Sequence, residues 1–330
     1  MPTNLAMAAA TETLGNTFSL GGGIPIEAAA VAALVAQLPH STTLTAVLLK
    51  GGNSLGVEGC KALAEGIENS TSIRDLKLIH NDVCPEGCKA LADSFVLNTS
   101  LREIDLSRNF IGVDGCKALA ESLKHGCTIT TMNLSWNDLR DEGIKFLAKG
   151  LEFNATLTML DLSNTGFEAE GCKAIAEALK TNTGLQIMYL NCNKAGNEGT
   201  KALADSLKIN TTLNDLDLHS NCIGDEGCVE LAESLKSTKS LRRLKIHGNE
   251  IQSDGAKALA KLVVSSNSIR ALRTDFSGGN EFDEALLEKR LEDTRRDLAI
   301  SMFLSNAVYV GGKELSDEIK EIIVSFVRAG

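Results

Sequence analysis

Aromatic side chains are scarce in this 330-residue chain, at 4 % of residues, and there is a single tryptophan. Hydrophobic residues nevertheless make up 43 % of the chain, so a core is expected that Leu, Ala, Ile and Val must fill. Long apolar runs are also missing, because the longest nearly apolar stretches cover only residues 28–36 and 299–310. A membrane helix needs roughly 18–20 apolar residues. The composition therefore predicts a chain with an aliphatic core and no membrane span.

A surplus of basic residues is absent as well, since the formal net charge is −10. Phosphate binding needs a Lys and Arg surplus on one face, so nucleic acid is not an expected partner. An acidic surface instead suits basic patches on other proteins. The first residues, MPTNLAMAAATETLGNT, lack a basic segment followed by an apolar one, which argues against a secretory signal. We expect the nine cysteines to be reduced and the protein to be cytoplasmic.

The dominant feature of the sequence is a repeat with a period of 28 residues. The pattern apolar-x-x-apolar-x-apolar begins at Ile73, Leu101, Ile129, Leu157, Leu185, Leu213 and Leu241, with an earlier copy at Leu44 and a degenerate one at Ile269. A glycine column keeps this period at Gly59, Gly87, Gly115, Gly143, Gly171, Gly199, Gly227 and Gly255. An asparagine column does so at Asn81, Asn109, Asn137, Asn193, Asn221 and Asn249, with Thr165 as the exception. Its expected role is to satisfy backbone groups where the chain leaves each strand.

Each repeat is predicted to form one strand, a turn, one helix and a return loop. In LREIDL the alternate residues Leu101, Ile104 and Leu106 point inward, and in GCKALAESL the apolar residues follow helical spacing. Stacked strands lie about 4.8 Å apart whereas packed helices need about 8–10 Å. The stack must therefore curve, with a parallel sheet on its concave side and the helices on its convex side.

The segment LREIDLSRNFIGVDGCKALAESL resembles the ribonuclease-inhibitor-like subclass of leucine-rich repeats. This subclass also occurs in NOD-like receptors, Ran GTPase-activating protein and tropomodulin. The resemblance covers about residues 24–277, and it implies an α/β leucine-rich-repeat solenoid, or horseshoe. It carries little information on function, because the motif residues form the scaffold.

Three parts of the chain are predicted from this pattern. Residues 1–23 are expected to be a flexible tail, because they are small, polar and glycine-rich. Residues 24–279 are expected to form the repeat domain, with a cap helix at 26–38 and about nine repeats of 28 residues. Residues 280–330 are expected to form a helical C-terminal cap or extension, with helices at 281–306 and 317–328.

Two groups of residues could carry chemistry. Cys60, Cys88, Cys116, Cys172 and Cys228 share the position after the repeat glycine, where a thiol near a helix start can be reactive. Packing is favoured, because other repeats place Ile144, Thr200 or Ala256 there. His219, His247 and Asp275 lie at equivalent positions in successive repeats and could bind a divalent metal, but paired surface histidines are common. We expect no metal, cofactor, catalytic residue or small-molecule substrate.

The outward-pointing strand residues are the informative set, because the fold does not dictate them. The candidate protein-binding residues on the concave face are Glu103, Asp105, Arg108, Trp136, Asp161, Tyr189, Asp215, Asp217, His219, Arg243 and Lys245. Their centre is acidic, with one Trp and one Tyr, and their C-terminal end is basic. The sequence predicts a non-enzymatic interaction scaffold or adaptor that binds a protein with a basic patch. Alternatives are a GTPase-activating protein for a Ran-like GTPase, a ribonuclease-inhibitor-like inhibitor, and a structural component of a cytoskeletal or ciliary assembly.

Overall fold

The computed structural model describes residues 11–14, 16–20, 31, 34–36, 38–52, 55–266 and 268–274. Two predicted C-terminal helices, at 281–306 and 317–328, and the candidate metal ligand Asp275 lie outside these residues. Within the described residues, no helix has the length and apolar character needed to cross a membrane.

Strands and helices alternate along most of the described chain. The strands are β1 (Thr11–Leu14), β2 (Thr17–Leu20), β3 (Ala46–Lys50), β4 (Asp75–Ile79), β5 (Glu103–Asp105), β6 (Thr131–Asn133), β7 (Met159–Asp161), β8 (Ile187–Tyr189), β9 (Asp215–Asp217), β10 (Arg243–Lys245) and β11 (Ala271–Arg273). The helices are α1 (Gly56–Glu68), α2 (Pro85–Leu97), α3 (Gly112–Lys124), α4 (Arg140–Leu151), α5 (Ala169–Leu179), α6 (Gly196–Leu207), α7 (Asp225–Leu235) and α8 (Ser253–Ser265).

One open sheet contains these strands in the order of the chain, from β1 to β11. From β2 onward every neighbouring pair is parallel. From β4 to β11 the paired residues are 28 apart, as in Asp105 opposite Asn133. Each helix packs against the next one, which gives a second layer behind the sheet. The predicted α/β solenoid, with a concave parallel sheet and convex helices, is confirmed.

The N-terminal edge of the sheet differs from the sequence expectation. Residues 11–14 and 17–20, within the segment expected to be a flexible tail, form an antiparallel hairpin whose second strand pairs in parallel with β3. The segment TETLGNTFSL places the strand-favouring residues Thr11, Thr13, Thr17 and Phe18 on the two sides of Gly-Asn, which suits strands joined by a two-residue turn. Phe18 packs on the core. The hairpin thereby covers the edge of β3, which would otherwise be an unpaired strand edge.

The predicted cap at residues 26–38 is described only in part. Residues 31 and 34–36 are helical, and Val31, Leu34 and Leu38 are buried in the core. A Cβ atom at Gly66 in α1 would approach Leu38 to 2.9 Å, so these residues lie against the first helix of the stack.

The core runs without interruption through the described repeats. The inward strand residues Leu101, Ile104 and Leu106 are at most 1 % exposed, and Cys116 and Leu119 of α3 are fully buried against them. Burial of such aliphatic side chains contributes about 1.5–3 kcal/mol each. The predicted inward register of the strands is confirmed.

The repeat glycines allow neighbouring helices to approach closely. A Cβ atom at Gly143 of α4 would lie 2.9 Å from the Cys116 sulfur, closer than real contacts allow. The cysteine of one repeat therefore fills the space that the next repeat's glycine leaves open. Burial raises the pKa of Cys60, Cys116 and Cys228 to about 12, so these thiols stay neutral and inert. The packing interpretation of this cysteine column is confirmed.

We expect Cys116→Ala to lower the free energy of unfolding by about 1 kcal/mol, because only a small buried group is removed. Cys116→Leu should cost more, since the larger side chain would clash with α4 at Gly143. Urea denaturation of both variants measures this difference. Equal losses, or a more stable leucine variant, would contradict the packing of the glycine against the cysteine.

The asparagine column forms the expected ladder between repeats. The Asn109 carbonyl oxygen accepts hydrogen bonds from the backbone N–H groups of Asn81 and Val83, each at 2.9 Å. Its amide donates to the carbonyl oxygens of Leu78 and Leu106. A second column that the sequence reasoning missed follows the helices, at Asn98, Asn154, Asn182 and Asn210. In each, the side-chain amide donates to a carbonyl oxygen near the C-terminal end of the helix in the preceding repeat, as from Asn98 to Ile67.

Candidate protein-binding face

The strand register aligns the outward side chains in two rows across the concave face. The first row contains Lys77, Asp105, Asn133, Asp161, Tyr189, Asp217, Lys245 and Arg273. The second row contains Asp75, Glu103, Thr131, Met159, Ile187, Asp215 and Arg243. Adjacent members of a row are therefore side-chain neighbours. Each charged residue attracts or repels the charged residue next to it in the row, according to their signs.

The acids of β5 are half-exposed and only lightly neutralised. The Ser107 N–H donates to Asp105 Oδ1 at 2.9 Å, and the Asn133 amide donates to Oδ2 at 3.2 Å. Glu103 lies 3.9 Å from the Lys77 ammonium, at the limit of an ion pair. A surface pair of this kind is worth little, so both carboxylates keep most of their capacity to attract a cation.

Asp161 lies at the middle of the first row. Its Oδ1 accepts hydrogen bonds from the Ser163 N–H and hydroxyl. Burial raises the pKa of Asp161, the Ser163 hydrogen bonds oppose this, and the like charges of Asp105 and Asp217 raise the pKa further. The ionised carboxylate is thus held at a cost in free energy. A cation placed above it would offset that cost.

Asp215 and Asp217 belong to the acidic centre that the sequence analysis describes, next to the basic C-terminal end of the same face. They are only 5 % and 4 % exposed, and each is ion-paired with the basic residue opposite it on β10. Arg243 Nε lies 2.9 Å from Asp215 Oδ2, and Lys245 Nζ lies 3.0 Å from Asp217 Oδ2. The two aspartates of β9 and the two basic residues of β10 neutralise each other, because the strand register places them opposite one another.

Asp217 also holds His219, whose Nδ1 lies 2.8 Å from Asp217 Oδ1. Burial is the largest single influence on this carboxyl and opposes its ionisation. Hydrogen bonds from His219 and Lys245 together outweigh burial and lower the pKa of Asp217. Asp217 is therefore a charged structural anchor for its two basic neighbours.

Arg108 and Trp136 lie just beyond their strands, in a column where the backbone is left-handed. This column has positive φ at Gly52, His80, Arg108, Trp136, Asn164, Cys192, Ser220 and Gly248. The conformation costs a non-glycine residue roughly 1–2 kcal/mol. In return, the N–H groups of Arg108 and Trp136 donate to the next repeat, to the carbonyl oxygens of Ser135 and Ser163, at 2.9 Å. The Arg108 guanidinium lies 4.3 Å from the Trp136 ring centroid, and the indole stays 51 % exposed.

Two apolar residues of the concave face were missed by the sequence reasoning. Met159 and Ile187 are paired neighbours in the second row, and both are half-buried. Each stands two residues before a candidate residue, so the alternation of the strand could have identified them. We define the central concave patch as Asp105, Asp161, Met159, Ile187 and Tyr189. This patch combines the apolar and aromatic side chains of Met159, Ile187 and Tyr189 with the two carboxylates.

The possible metal site is only partly described. The rings of His219 and His247 stack with centroids 4.5 Å apart and an interplanar angle of 12°. Asp275, the third residue of that hypothesis, lies outside the described residues. In the part of the chain that the structure describes, no three His, Cys, Asp or Glu residues are grouped to hold a metal ion.

Comparison with known proteins supports the fold. The family model described as "Leucine Rich repeat" matches residues 97–120, 125–148, 153–176, 210–232 and 239–260. LegL7 from Legionella pneumophila, a leucine-rich-repeat-containing protein, is 19% identical over 82% of this chain and 86% of its own, with a TM-score of 0.52. A chain of the Rad7 and Elc1 complex in yeast is 15% identical over 79% of this chain and 63% of its own, with a TM-score of 0.53.

Other comparisons add less. The actin-binding site 2 of leiomodin-1 is 22% identical but covers 47% of this chain and 91% of its own, with a TM-score of 0.41. No curated protein matches the chain. The five repeat matches, the strand-turn-helix stack and the LegL7 likeness in fold together support the predicted leucine-rich-repeat solenoid of the ribonuclease-inhibitor-like type.

Proposed function

We propose that the protein is a non-enzymatic interaction scaffold that binds a partner protein on its concave face. The observation that carries this proposal is the central concave patch, where the partly buried side chains of Met159, Ile187 and Tyr189 lie beside Asp105 and Asp161. Apolar and aromatic anchors flanked by charge are typical of binding hot spots. A surface preformed on a sheet also loses little entropy when it binds.

The partner segment should present a basic side chain next to an apolar one. Asp161 is strained electrostatically by burial and by its acidic neighbours, so a Lys or Arg of the partner would stabilise its charged form. Asp215 and Asp217 already have cationic partners and would contribute little. The acidic part of the proposed site is therefore narrower than the sequence indicates, and consists of Glu103, Asp105 and Asp161.

The remaining candidates have peripheral roles in this proposal. Trp136, with Arg108 over its ring, would supply contact area at one rim. Arg243, Lys245 and His219 would mainly hold Asp215 and Asp217, and they border the patch on the side of β10. One fold neighbour comes from a complex of two proteins, Rad7 and Elc1, and this precedent favours a protein partner.

Site-specific photocrosslinking in native extract tests the proposed face. A photoreactive residue at Thr131, on the concave face, should trap the partner, whereas one at Lys117, exposed on α3, should not. Crosslinks of equal yield from both positions would contradict a concave site.

Asp161→Asn should stabilise the free protein at neutral pH while weakening partner binding. The raised pKa means that the ionised carboxylate destabilises the folded state above that pKa, and that this penalty disappears as the pH falls through it. The gain in stability should thus be largest at neutral pH and shrink under acidic conditions. Asparagine keeps an oxygen that can accept the Ser163 hydrogen bonds.

Urea denaturation at neutral and acidic pH measures this effect, with Glu142→Gln on the exposed face of α4 as the matched control. The control should change stability little at either pH. A variant that is less stable than the wild type at neutral pH, or whose gain is independent of pH, would show that Asp161 is not strained.

A further inference from the structure

Cys192 differs from most of the other cysteines in its surroundings. Six of the nine are buried, Cys84 is partly buried, and only Cys192 and Cys222 are exposed. Cys192 follows β8 in the left-handed column, and its N–H donates to the carbonyl oxygen of His219 at 2.9 Å. This backbone hydrogen bond therefore holds Cys192 next to His219, which lies two residues after the end of β9.

A histidine and a carboxylate stand in line with the Cys192 thiol. Its sulfur lies 3.6 Å from His219 Nε2, and His219 Nδ1 lies 2.8 Å from Asp217 Oδ1. A carboxylate accepts a hydrogen bond and cannot donate one when ionised, so Asp217 places the imidazole proton on Nδ1. Nε2 is then the free acceptor that faces the thiol. Thiol, imidazole and carboxylate in this order are the arrangement that activates a nucleophile.

The surrounding groups keep the imidazole in place. The His247 ring stacks on His219 at 4.5 Å from the β10 side. Lys245 binds the other oxygen of Asp217 at 3.0 Å and lies 5.4 Å from the Tyr189 ring centroid. The titratable groups around His219 are thus Cys192 and Tyr189 on one side, Asp217 on its own repeat, and Lys245 and His247 on the other.

We propose that Cys192 is a thiol-modification site that exchanges with small disulfides, activated by His219. In this step His219 Nε2 takes the proton of the Cys192 thiol, and the thiolate attacks one sulfur of the disulfide. The new S–S bond joins Cys192 to half of the reagent, the old S–S bond breaks, and the departing thiolate takes a proton from the His219 imidazolium. Cys192 is oxidised and the disulfide is reduced, so electrons and protons balance.

Cys222 provides a control within the same chain. It is also exposed and also has a left-handed backbone, with φ of 57° against 58° for Cys192. In the described part of the chain, however, no imidazole lies within hydrogen-bonding distance of the Cys222 sulfur. A difference in reactivity between the two thiols therefore reports on His219 and not on exposure.

The test uses the folded, full-length chain and oxidised glutathione at neutral pH. After acid quenching, mass spectrometry of the cysteine peptides gives the rate of glutathione addition at each site. Cys192 should react at least about tenfold faster than Cys222. His219→Gln should bring the Cys192 rate down to that of Cys222 and leave Cys222 unchanged, while circular dichroism verifies the fold.

Two results would overturn this proposal. Equal rates at Cys192 and Cys222 in the wild type would show that exposure alone sets reactivity, and this comparison needs no variant to fold. A folded His219→Gln protein whose Cys192 still reacts at the wild-type rate would remove His219 from the mechanism.

Discussion

Leu134→Ala is expected to lower the free energy of unfolding by roughly 2–5 kcal/mol. Leu134 follows β6 in the middle of the stack, is 0 % exposed, and its N–H donates to the Asp161 carbonyl oxygen at 2.9 Å. Truncation leaves a cavity that the adjoining strands and helices cannot fill without breaking their register. Because each repeat is supported by its two neighbours, the loss should extend to β5 and β7.

Urea denaturation gives the size of this effect, and hydrogen exchange of the β5 and β7 amides gives its extent. Thr131→Ala, three residues earlier on the half-exposed concave side, is the matched control and should change stability by less than about 0.5 kcal/mol. An unchanged midpoint for Leu134→Ala, or a larger loss for Thr131→Ala, would show that the inward and outward faces of β6 are assigned the wrong way round.

Asn109→Ala should be comparably destabilising, by about 2–4 kcal/mol, although it removes no apolar surface. The Asn109 side chain accepts from the N–H groups of Asn81 and Val83 and donates to the carbonyl oxygens of Leu78 and Leu106. These residues are fully buried, so water cannot replace the hydrogen bonds that alanine removes, although the Leu106 carbonyl oxygen keeps a second bond from the Asn137 amide.

Asn109→Thr is the informative comparison, because Thr165 already occupies this position in another repeat. There the threonine hydroxyl donates to the Leu162 carbonyl oxygen at 2.8 Å, the bond that corresponds to Asn109 with Leu106. Threonine at 109 should therefore recover part of the loss measured for alanine by thermal and urea denaturation. Equal losses for the two variants would mean that the ladder contributes little beyond the shape of the side chain.

The 28-residue period was sufficient to predict the solenoid, because residues one period apart must be neighbours once the repeats stack. The pairing of Asp105 with Asn133 and the inward position of Leu134 follow from this rule. The same rule could have revealed that Asp217 and Lys245 form an ion pair, since they are one period apart. The sequence analysis described an acidic centre and a basic C-terminal end on this face but did not pair the two residues.

Other features of the structure could not be predicted from the 28-residue period. The hairpin of β1 and β2 lies outside the repeats and depends on its own turn residues. The contact of Cys192 with His219 runs diagonally between repeats and depends on the left-handed backbone after β8. Periodicity reports which backbones are adjacent, whereas such contacts depend on side-chain direction at each position.

The affinity of the isolated partner for matched variants tests the concave-face account most directly. The triple variant Glu103→Gln, Asp105→Asn and Asp161→Asn should raise the Kd by about tenfold or more, because it removes the charge pairs with the basic partner. Most of this change should come from slower association. Lys117→Glu on α3 should change the Kd by less than about twofold, since an exposed charge on the convex side makes no contact with a partner on the concave face. Equal losses from the two faces, or a loss seen only when residues 275–330 are deleted, would contradict binding at the central concave patch.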